Sequence, residues 1–402
     1  MDMRFRLRYT DYNMKSEILK IFVVALAVVT PVQAYGRATN DPAAAAMYNE
    51  MGVKAFKDGA TAAAVSYFEQ ARRLNPSDKT IKKNLAAAYT GQGMAEYDKR
   101  DLADAQKYFE AALQLDPENV DSLVLLGDIK YLSQKMDEAK ALWEKVLKVY
   151  PDYRYRKEIE EKIAKLAKEA KVEKDYRSTG MDRFEIKYSR EGARLSYNVR
   201  YYLQEAYRLL GQDFDYRPGY RITVLISDRE QFETIGGWPA GTQGGYDGKI
   251  RLPLIGADYT PDHIRGLVWH EYTHLIVEDL SKGRAPLWMN EGLAYYEGFK
   301  YMKKRMATLK AAVDKNRLIP LAGLDDVLKA QDVGEEYWLA CEESYTIASY
   351  MMKRYNKYTI REILKGMGGG ETFETVMKKK FNTSMKEFEK RWLTELNKGR
   401  LY

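Results

Sequence analysis

Two histidines and a glutamate lie close together in the segment His270-Glu271-Tyr272-Thr273-His274 of this 402-residue chain. Residues four apart lie on the same face of a helix, so the imidazoles of His270 and His274 can reach one ion. Glu271 is turned by about 100° from His270, which places its carboxylate beside that ion. The pattern predicts one zinc ion, with Glu271 as the general base for a zinc-activated water.

A second carboxylate follows in the segment Trp288-Met289-Asn290-Glu291-Gly292. Glu291 lies 17 residues after His274. That length is enough for the rest of one helix, a turn and a returning helix, which can bring Glu291 back to the metal. Two imidazoles and one carboxylate leave the fourth zinc position open for water.

The chain has only three histidines, so a chance His-Glu-x-x-His arrangement is expected on the order of once in a thousand such sequences. His263 lies two turns before His270, about 10 Å away, which is too far to share the ion. We expect His263 to be an exposed residue at the helix start. Two alternatives stay open: a surface helix with unconnected histidines, and a zinc site without catalysis, against which the presence of Glu271 argues.

Helix signals surround both segments. Thr260-Pro261-Asp262 provides an N-cap, a proline at the first helical position and an acid in the first turn. This helix is predicted to end near Ser281-Lys282-Gly283. Pro286 then fixes the entry to a second helix, which carries Glu291. The sequence therefore predicts that two consecutive helices position the ligand side chains.

The region before these helices predicts a small sheet. Residues 184–188 and 220–226 are predicted strands, with a helix over 193–210 between them. A glycine-rich passage then leads to a third predicted strand at 249–253. Pro253 indicates that this strand lies at an edge, where an extended peptide could pair beside the metal.

The combination of His270-Glu271-x-x-His274 with Trp288-Met289-Asn290-Glu291-Gly292-Leu293-Ala294 resembles the gluzincin metallopeptidases. The resemblance covers roughly residues 180–396 and is closest to the peptidase MA-like members that often carry tetratricopeptide repeats. It implies an α+β zincin-like domain in which His270, His274 and Glu291 bind zinc and Glu271 is the base. It also implies that Asn290 supports a histidine ligand.

Gluzincins place a Tyr or His donor where negative charge develops on the scissile carbonyl oxygen, and Tyr345 lies in about the right order along the chain. A packing role is the alternative interpretation for this tyrosine. Tyr337 and Tyr350 are the other candidates. Cys341 has no histidine partner nearby in sequence and is predicted as a small core residue.

The segment Gly244-Gly245-Tyr246-Asp247 differs from the Gly-x-Met-Glu-Asn segment with which the aminopeptidase branch captures an amino terminus. The difference favours an endopeptidase.

Residues 43–153 contain an internal repeat, with small residues where paired helices touch, an aromatic residue one turn later and a terminal proline. The pattern resembles about three tetratricopeptide repeats, an all-α solenoid that binds a peptide or a partner protein. An irregular helical bundle is the alternative. Met51-Gly52, Leu85-Ala86 and Leu126-Gly127 are assigned to the first helices, and seven extra residues in the middle unit are placed near Gly91-Gln92-Gly93. The equivalent positions are Ala64, Phe68, Ala71 and Pro76, then Ala105, Phe109, Ala112 and Pro117, then Ala139, Trp143, Val146 and Pro151.

Between the repeats and the peptidase-like domain at 179–402, residues 154–178 alternate in charge with apolar residues at helical spacing. They predict a capping or connector helix whose charged face is solvated.

The N-terminus predicts export. An apolar run at 21–29 follows Lys20 and precedes the small-residue pattern Val32-Gln33-Ala34, so residues 1–34 are predicted as a signal peptide, with Met14 as an alternative translation start. The protein would be periplasmic or extracellular, with no stable membrane span after cleavage. An uncleaved anchor is the alternative, although the run is shorter than the about 20 residues of a spanning helix.

The charge composition gives little support for a nucleic-acid partner, because 65 basic and 58 acidic residues are mixed along the chain and the net charge is only +7. Cys341 is the only cysteine, so no intrachain disulfide can form. The sequence therefore predicts an exported zinc-dependent endopeptidase that acts on a protein or peptide substrate. A catalytically silent exported scaffold, with a zincin-like domain and a protein-binding repeat region, is the alternative.

Overall fold

A computed structural model describes residues 41–99, 101–236, 238, 241–304, 306–330 and 334–401. The predicted signal peptide at 1–34 lies outside these residues. The described chain divides into two compact units, residues 41–167 and residues 168–401. In its described residues the first unit is helical, whereas the second combines helices with a five-stranded sheet.

The first unit consists of consecutive helix pairs, in which α1 packs with α2, α3 with α4, and α5 with α6. In each pair an aromatic side chain of the second helix lies against a glycine of the first. A Cβ on that glycine would overlap the ring, so the glycine lets the two helices approach closely. The contacts are Gly52 with Phe68, Gly93 with Phe109, and Gly127 with Trp143. The helices are α1 Pro42–Lys57, α2 Thr61–Leu74, α3 Lys79–Asp98, α4 Leu102–Leu115, α5 Val120–Leu132 and α6 Met136–Val149.

The middle pair corrects one part of the predicted repeat. Gly93, and not Leu85-Ala86, is the residue equivalent to Gly127. Helix α3 has 20 residues and α5 has 13, yet each ends five residues after its glycine. The seven extra residues therefore lengthen α3 before Gly93. Because seven residues make about two helical turns, the glycine keeps the same face of the helix.

Helix α7 (Arg156–Glu173) occupies most of the predicted connector at 154–178. Its first turns belong to the first unit, where Ile159 and Leu166 are buried in a cluster with Trp143. The boundary between the two units falls inside this helix, after Ala167.

The sheet of the second unit has the strand order β1-β2-β3-β5-β4. Strands β2, β3 and β5 are parallel to one another, and the two outer strands are antiparallel to their neighbours. One face packs on the apolar core through alternate residues of the three central strands, such as Ile250, Leu252 and Leu254 of β5. The strands are β1 Arg177–Met181, β2 Phe184–Tyr188, β3 Ile222–Asp228, β4 Gly245–Tyr246 and β5 Ile250–Ile255.

The predicted edge strand is not at the edge. Strand β5 lies between β3 and β4, so the two-residue strand β4 forms this border of the sheet. Pro253 is tolerated because β4 pairs only with Ile250 and Arg251, and on the other side Pro253 lies opposite Ser227, next to a register shift.

The other helices of the second unit pack around a large apolar cluster on the core-facing side of the sheet, except α9, whose Phe232 stacks on Trp238. The C-terminal segment contributes Phe373, Val376, Phe388 and Trp392 to this core. None of the helices in the described part of the chain has the length and apolar character that a transbilayer helix needs. These helices are α8 Ala193–Asp213, α9 Arg229–Ile235, α10 Pro261–Ser281, α11 Leu287–Gly298, α12 Ala307–Asp314, α13 Leu324–Lys329, α14 Glu335–Arg354, α15 Lys357–Gly368, α16 Phe373–Phe381 and α17 Met385–Asn397.

Candidate metal centre

Helix α10 holds the two histidines where the capping signals predict. The Thr260 side chain accepts a hydrogen bond from the His263 N–H at 3.2 Å, and Pro261 is the first helical residue. The helix ends at Lys282, which adopts a left-handed conformation with φ of 52°. His270 and His274 lie one turn apart in the middle of this helix.

Helices α10 and α11 bring three ligand atoms together. Nε2 of His270 lies 3.1 Å from Nε2 of His274. Oε2 of Glu291 lies 4.0 Å from the first nitrogen and 3.8 Å from the second. The three side chains are at most 14% exposed, so the cluster is largely shielded from water.

The donor set and its dimensions fit zinc. The three atoms lie 3.1 to 4.0 Å from one another, which brackets the separation of about 3.4 Å that zinc bonds of about 2.0–2.2 Å give between tetrahedral ligands. Burial, and then the proximity of His274, hold the pKa of His270 well below its usual value. Its imidazole is therefore neutral and can offer a lone pair to a cation.

Asn290 orients one of the two imidazoles. Its amide oxygen lies 2.9 Å from Nδ1 of His274, and its amide nitrogen donates to Oε1 of Glu278 at 3.2 Å. The Glu278 carboxylate fixes which end of the amide faces the histidine. Because an amide oxygen can only accept, Nδ1 of His274 carries the proton, and its Nε2 presents a lone pair to the ligand cluster. Asn290 thus lies where the predicted supporting role requires.

Glu271 lies beside the ligand atoms and against the edge of the sheet. Its side chain is 3% exposed, and a Cβ at Gly244 would overlap its carboxylate. Burial, and then the negative charge of Glu291, raise the pKa of Glu271 well above its usual value. The Glu271 carboxylate is therefore confined between its own helix, α10, and Gly244, the residue that precedes β4.

Close contact between helices fixes where Glu291 lies. A Cβ on Gly292 would overlap the Ser344 carbonyl of α14. At the other end of α11, a Cβ on Gly298 would meet the Gly266 carbonyl of α10 at 3.0 Å. Only glycine at these two positions lets α11 pack so closely between its neighbours.

Sequence reasoning missed Tyr295. Its ring makes an edge contact with the His270 ring, with centroids 4.6 Å apart. Burial, and then the neighbouring Cys341, raise the pKa of Tyr295 well above its usual value, and its hydroxyl is hydrogen-bonded to that cysteine. Tyr295 lies four residues after Glu291 in α11. This spacing, which puts both residues on one face, is the signal that could have identified it.

The tyrosines named from the sequence have other surroundings. Tyr345 packs against Phe299 and Tyr296, with ring centroids 5.2 and 6.5 Å apart, which supports its packing alternative. Tyr350 packs on Phe388 at 5.6 Å. Tyr337 is one of the groups that raise the pKa of Tyr295, the residue whose ring contacts His270. Which tyrosine faces a substrate stays a prediction.

The remaining candidates are structural. His263 is half-buried and stacks on Tyr259 with centroids 4.4 Å apart, so the expectation of an exposed residue was wrong. It is not among the three residues whose ligand atoms converge. Cys341 is buried in the core, as predicted.

Two parts of the chain match known families. Residues 248–398 match the Peptidase MA superfamily, and residues 97–163 match the tetratricopeptide repeat. Among solved structures, the first TPR of Spaghetti (RPAP3) bound to the HSP90 peptide SRMEEVD is similar, with 23% sequence identity and a TM-score of 0.25 over 34% of this chain and 99% of that chain. No match is found among curated proteins. The family matches confirm a repeat region followed by a peptidase MA-like domain.

Proposed function

Since the chain joins tetratricopeptide repeats to a Peptidase MA superfamily domain, we propose that it is a zinc-dependent endopeptidase with Glu271 as its general base. The observation that carries the proposal is the convergence of His270, His274 and Glu291 beside a buried carboxylate. A repeat region or a peptidase-like fold alone would not require this arrangement.

His270, His274 and Glu291 would hold the zinc ion, and Asn290 would keep His274 in the tautomer that binds it. Zinc supplies a Lewis acid that lowers the pKa of water to about 7 and polarises a substrate carbonyl.

Glu271 moves the proton in this proposal. One of its carboxylate oxygens takes a proton from the attacking water and then delivers it to the nitrogen of the leaving amine. Gly244 supports the role because its backbone confines the carboxylate. The low exposure of Glu271 also keeps bulk water from competing for the proton.

Strand β4 offers a place for the substrate. Its outer edge has no strand partner within the described ranges of the chain, and it begins directly after Gly244, which lies against Glu271. A peptide paired with this edge in an extended conformation would pass beside the base. The Gly244-Gly245-Tyr246-Asp247 segment also differs from the amino-terminus-binding segment of aminopeptidases, which favours cleavage at internal bonds.

The repeats would bind a protein substrate or a partner protein, because stacked tetratricopeptide units form extended surfaces for peptides. Export follows from the predicted signal peptide and belongs to the same proposal. The enzyme would then act in the periplasm or the extracellular medium.

The test compares the purified chain with its Glu271→Gln variant. We expect about one zinc per chain in both proteins and cleavage of casein by the wild type alone. A chelator should abolish the wild-type activity, and added zinc should restore it. Glu336→Gln, which changes an exposed carboxylate, is the control and should cleave normally. Bound zinc without cleavage of any peptide mixture would contradict the proposal and favour the silent scaffold.

A further inference from the structure

Two carboxylates of helix α7 bind the face of the sheet that is turned away from the apolar core. Glu169 and Glu173 are four residues apart and therefore lie on one side of the helix. Glu173 bonds Lys187 of β2 at 2.7 Å, and Glu169 bonds Arg251 of β5 at 2.5 Å. Lys187 and Arg251 stand in one cross-strand row, with Leu225 of β3 between them.

Glu169 belongs to a buried network with three other charged groups. Its second oxygen accepts a hydrogen bond from Nζ of Lys249 at 2.7 Å. Nε of Arg251 donates to Asp247 at 3.0 Å. The four side chains are at most 4% exposed, and their two positive and two negative charges balance.

This network surrounds the turn between β4 and β5. Asp247 and Lys249 flank the turn, and the Asp247 N–H donates to the Lys249 carbonyl at 3.2 Å. Arg251 is the direct cross-strand partner of Gly245. The residue before Gly245 is Gly244, which lies against Glu271. A continuous path therefore leads from Glu169 through the hairpin to the proposed base.

We propose that Glu169 is a positioning residue for the active site: it holds the β4–β5 hairpin so that the edge at Gly244 and Gly245 stays beside Glu271. Glu169 lies outside the segment that matches the Peptidase MA superfamily, which begins at residue 248. The site thus depends on a side chain about 80 residues before its edge strand. The expected effect of Glu169 on peptide cleavage rests on the proposed function, whereas its expected effect on the β4–β5 hairpin does not.

The physical chemistry of the network explains why one carboxylate can have this effect. Buried charges are tolerated only when each is paired, and removing one partner leaves an uncompensated group. Burial already lowers the pKa of Lys249 to about 8, and the charge of Glu169 opposes that shift. Without Glu169, Lys249 loses the carboxylate that accepts its hydrogen bond at 2.7 Å, and Arg251 loses its ion pair with α7. The hairpin then loses the two ion pairs that connect it to α7.

The experiment compares Glu169→Gln with Glu173→Gln in the full-length chain. Both changes remove one carboxylate from the same helix, but Glu173 binds β2, at the other end of the row. We expect Glu169→Gln to speed hydrogen exchange in peptides covering residues 244–252 by about tenfold or more, because local opening becomes easier. Glu173→Gln should leave those peptides at the wild-type rate.

Activity and metal content provide independent readouts. Zinc content should be unchanged in both variants, because Glu169 and Glu173 bind the sheet and the β4–β5 turn, whereas the candidate ligands lie on α10 and α11. Glu169→Gln should raise KM for a peptide about tenfold with a smaller change in kcat, as expected when substrate positioning is impaired. Exchange at 244–252 that is unchanged, or equally fast in both variants, overturns the inference. If the wild type cleaves no peptide, the proposed function fails, but the exchange result still decides the role of Glu169.

A second variant covers the case in which Glu169→Gln does not fold. Glu169→Gln/Lys249→Met removes one charge of each sign and leaves the pair of Arg251 and Asp247. We expect this variant to fold. Its hydrogen exchange at 244–252 should be faster than that of the wild type, because the ion pair between Arg251 and Glu169 of α7 is lost. Wild-type protection in this variant would show that charge balance, and not Glu169, fixes the hairpin, and it would overturn the inference.

Discussion

The backbone of Gly244 lies against the carboxylate of Glu271, so closely that a Cβ at residue 244 would overlap that carboxylate. The edge of the sheet and the proposed base are therefore in contact, although 27 residues separate them in the sequence. Any side chain at this position must displace either the strand or the base.

Gly244→Ala should lower peptide cleavage by about 100-fold or more, because a misplacement of about 1 Å can have that effect on catalysis. Zinc content should be unchanged, since the ligand residues lie on α10 and α11. The measurement is kcat/KM together with bound zinc. Gly219→Ala is the control, because a Cβ there meets nothing within 4 Å, and this variant should retain full activity.

Asn290→Ala should weaken zinc binding by about 10- to 100-fold, which is the usual effect of removing a group that orients a histidine ligand. The variant loses the oxygen that lies 2.9 Å from Nδ1 of His274. Competition with a chelator of known affinity measures the change. Asn290→Asp retains an acceptor at that point and should bind zinc more tightly than Asn290→Ala. Equal affinity in the wild type and both variants would rule out the orienting role.

The convergence of the two histidines could be predicted from the sequence because helix geometry alone aligns residues four apart. His270 and His274 need only a continuous helix, and the capping residues at Thr260-Pro261-Asp262 mark where it begins. Glu291 follows on the next helix after a short turn. Spacing and capping chemistry were sufficient for the histidines, whereas the role of Glu291 came from the resemblance of its segment to gluzincins.

The edge of the site could not be predicted in the same way. Strand β4 has only two residues, and a Gly-Tyr pair has no alternating pattern that would identify a strand. Lys249 and Arg251 look like solvated residues in the sequence, yet they are buried because Glu169, 80 and 82 residues away, pairs with them. Long-range pairing of this kind depends on tertiary packing, which a local sequence pattern cannot predict.

Gly127→Ala should destabilise the repeat unit by about 1–3 kcal/mol, the usual cost of adding a methyl group to a packed interface. The new Cβ would overlap the Trp143 indole. In the other two repeats the aromatic partner is the smaller phenylalanine, so Trp143→Phe should make room. Urea unfolding of the two single variants and the double variant measures the coupling. Strict additivity of the two changes would contradict the predicted contact.

Glu343→Gln should change how stability depends on pH. Glu343 is fully buried, and its Oε1 accepts a hydrogen bond from the Ile319 N–H at 2.9 Å. Burial raises the pKa of Glu343 from 4.5 to about 8, while the Ile319 N–H opposes the shift. A glutamine keeps the acceptor but cannot ionise.

The sign follows from the raised pKa. Below about pH 4.5 the carboxyl is protonated in both the folded and the unfolded chain, so it brings no penalty. As the pH rises towards 8, the unfolded chain ionises first and the folded state loses relative stability. At about 1.4 kcal/mol per pKa unit, the loss is on the order of 4–5 kcal/mol. The free energy of unfolding of Glu343→Gln, measured with urea between pH 4 and 9, should therefore rise relative to the wild type with increasing pH. Parallel curves for the two proteins would show that Glu343 ionises normally in the folded state.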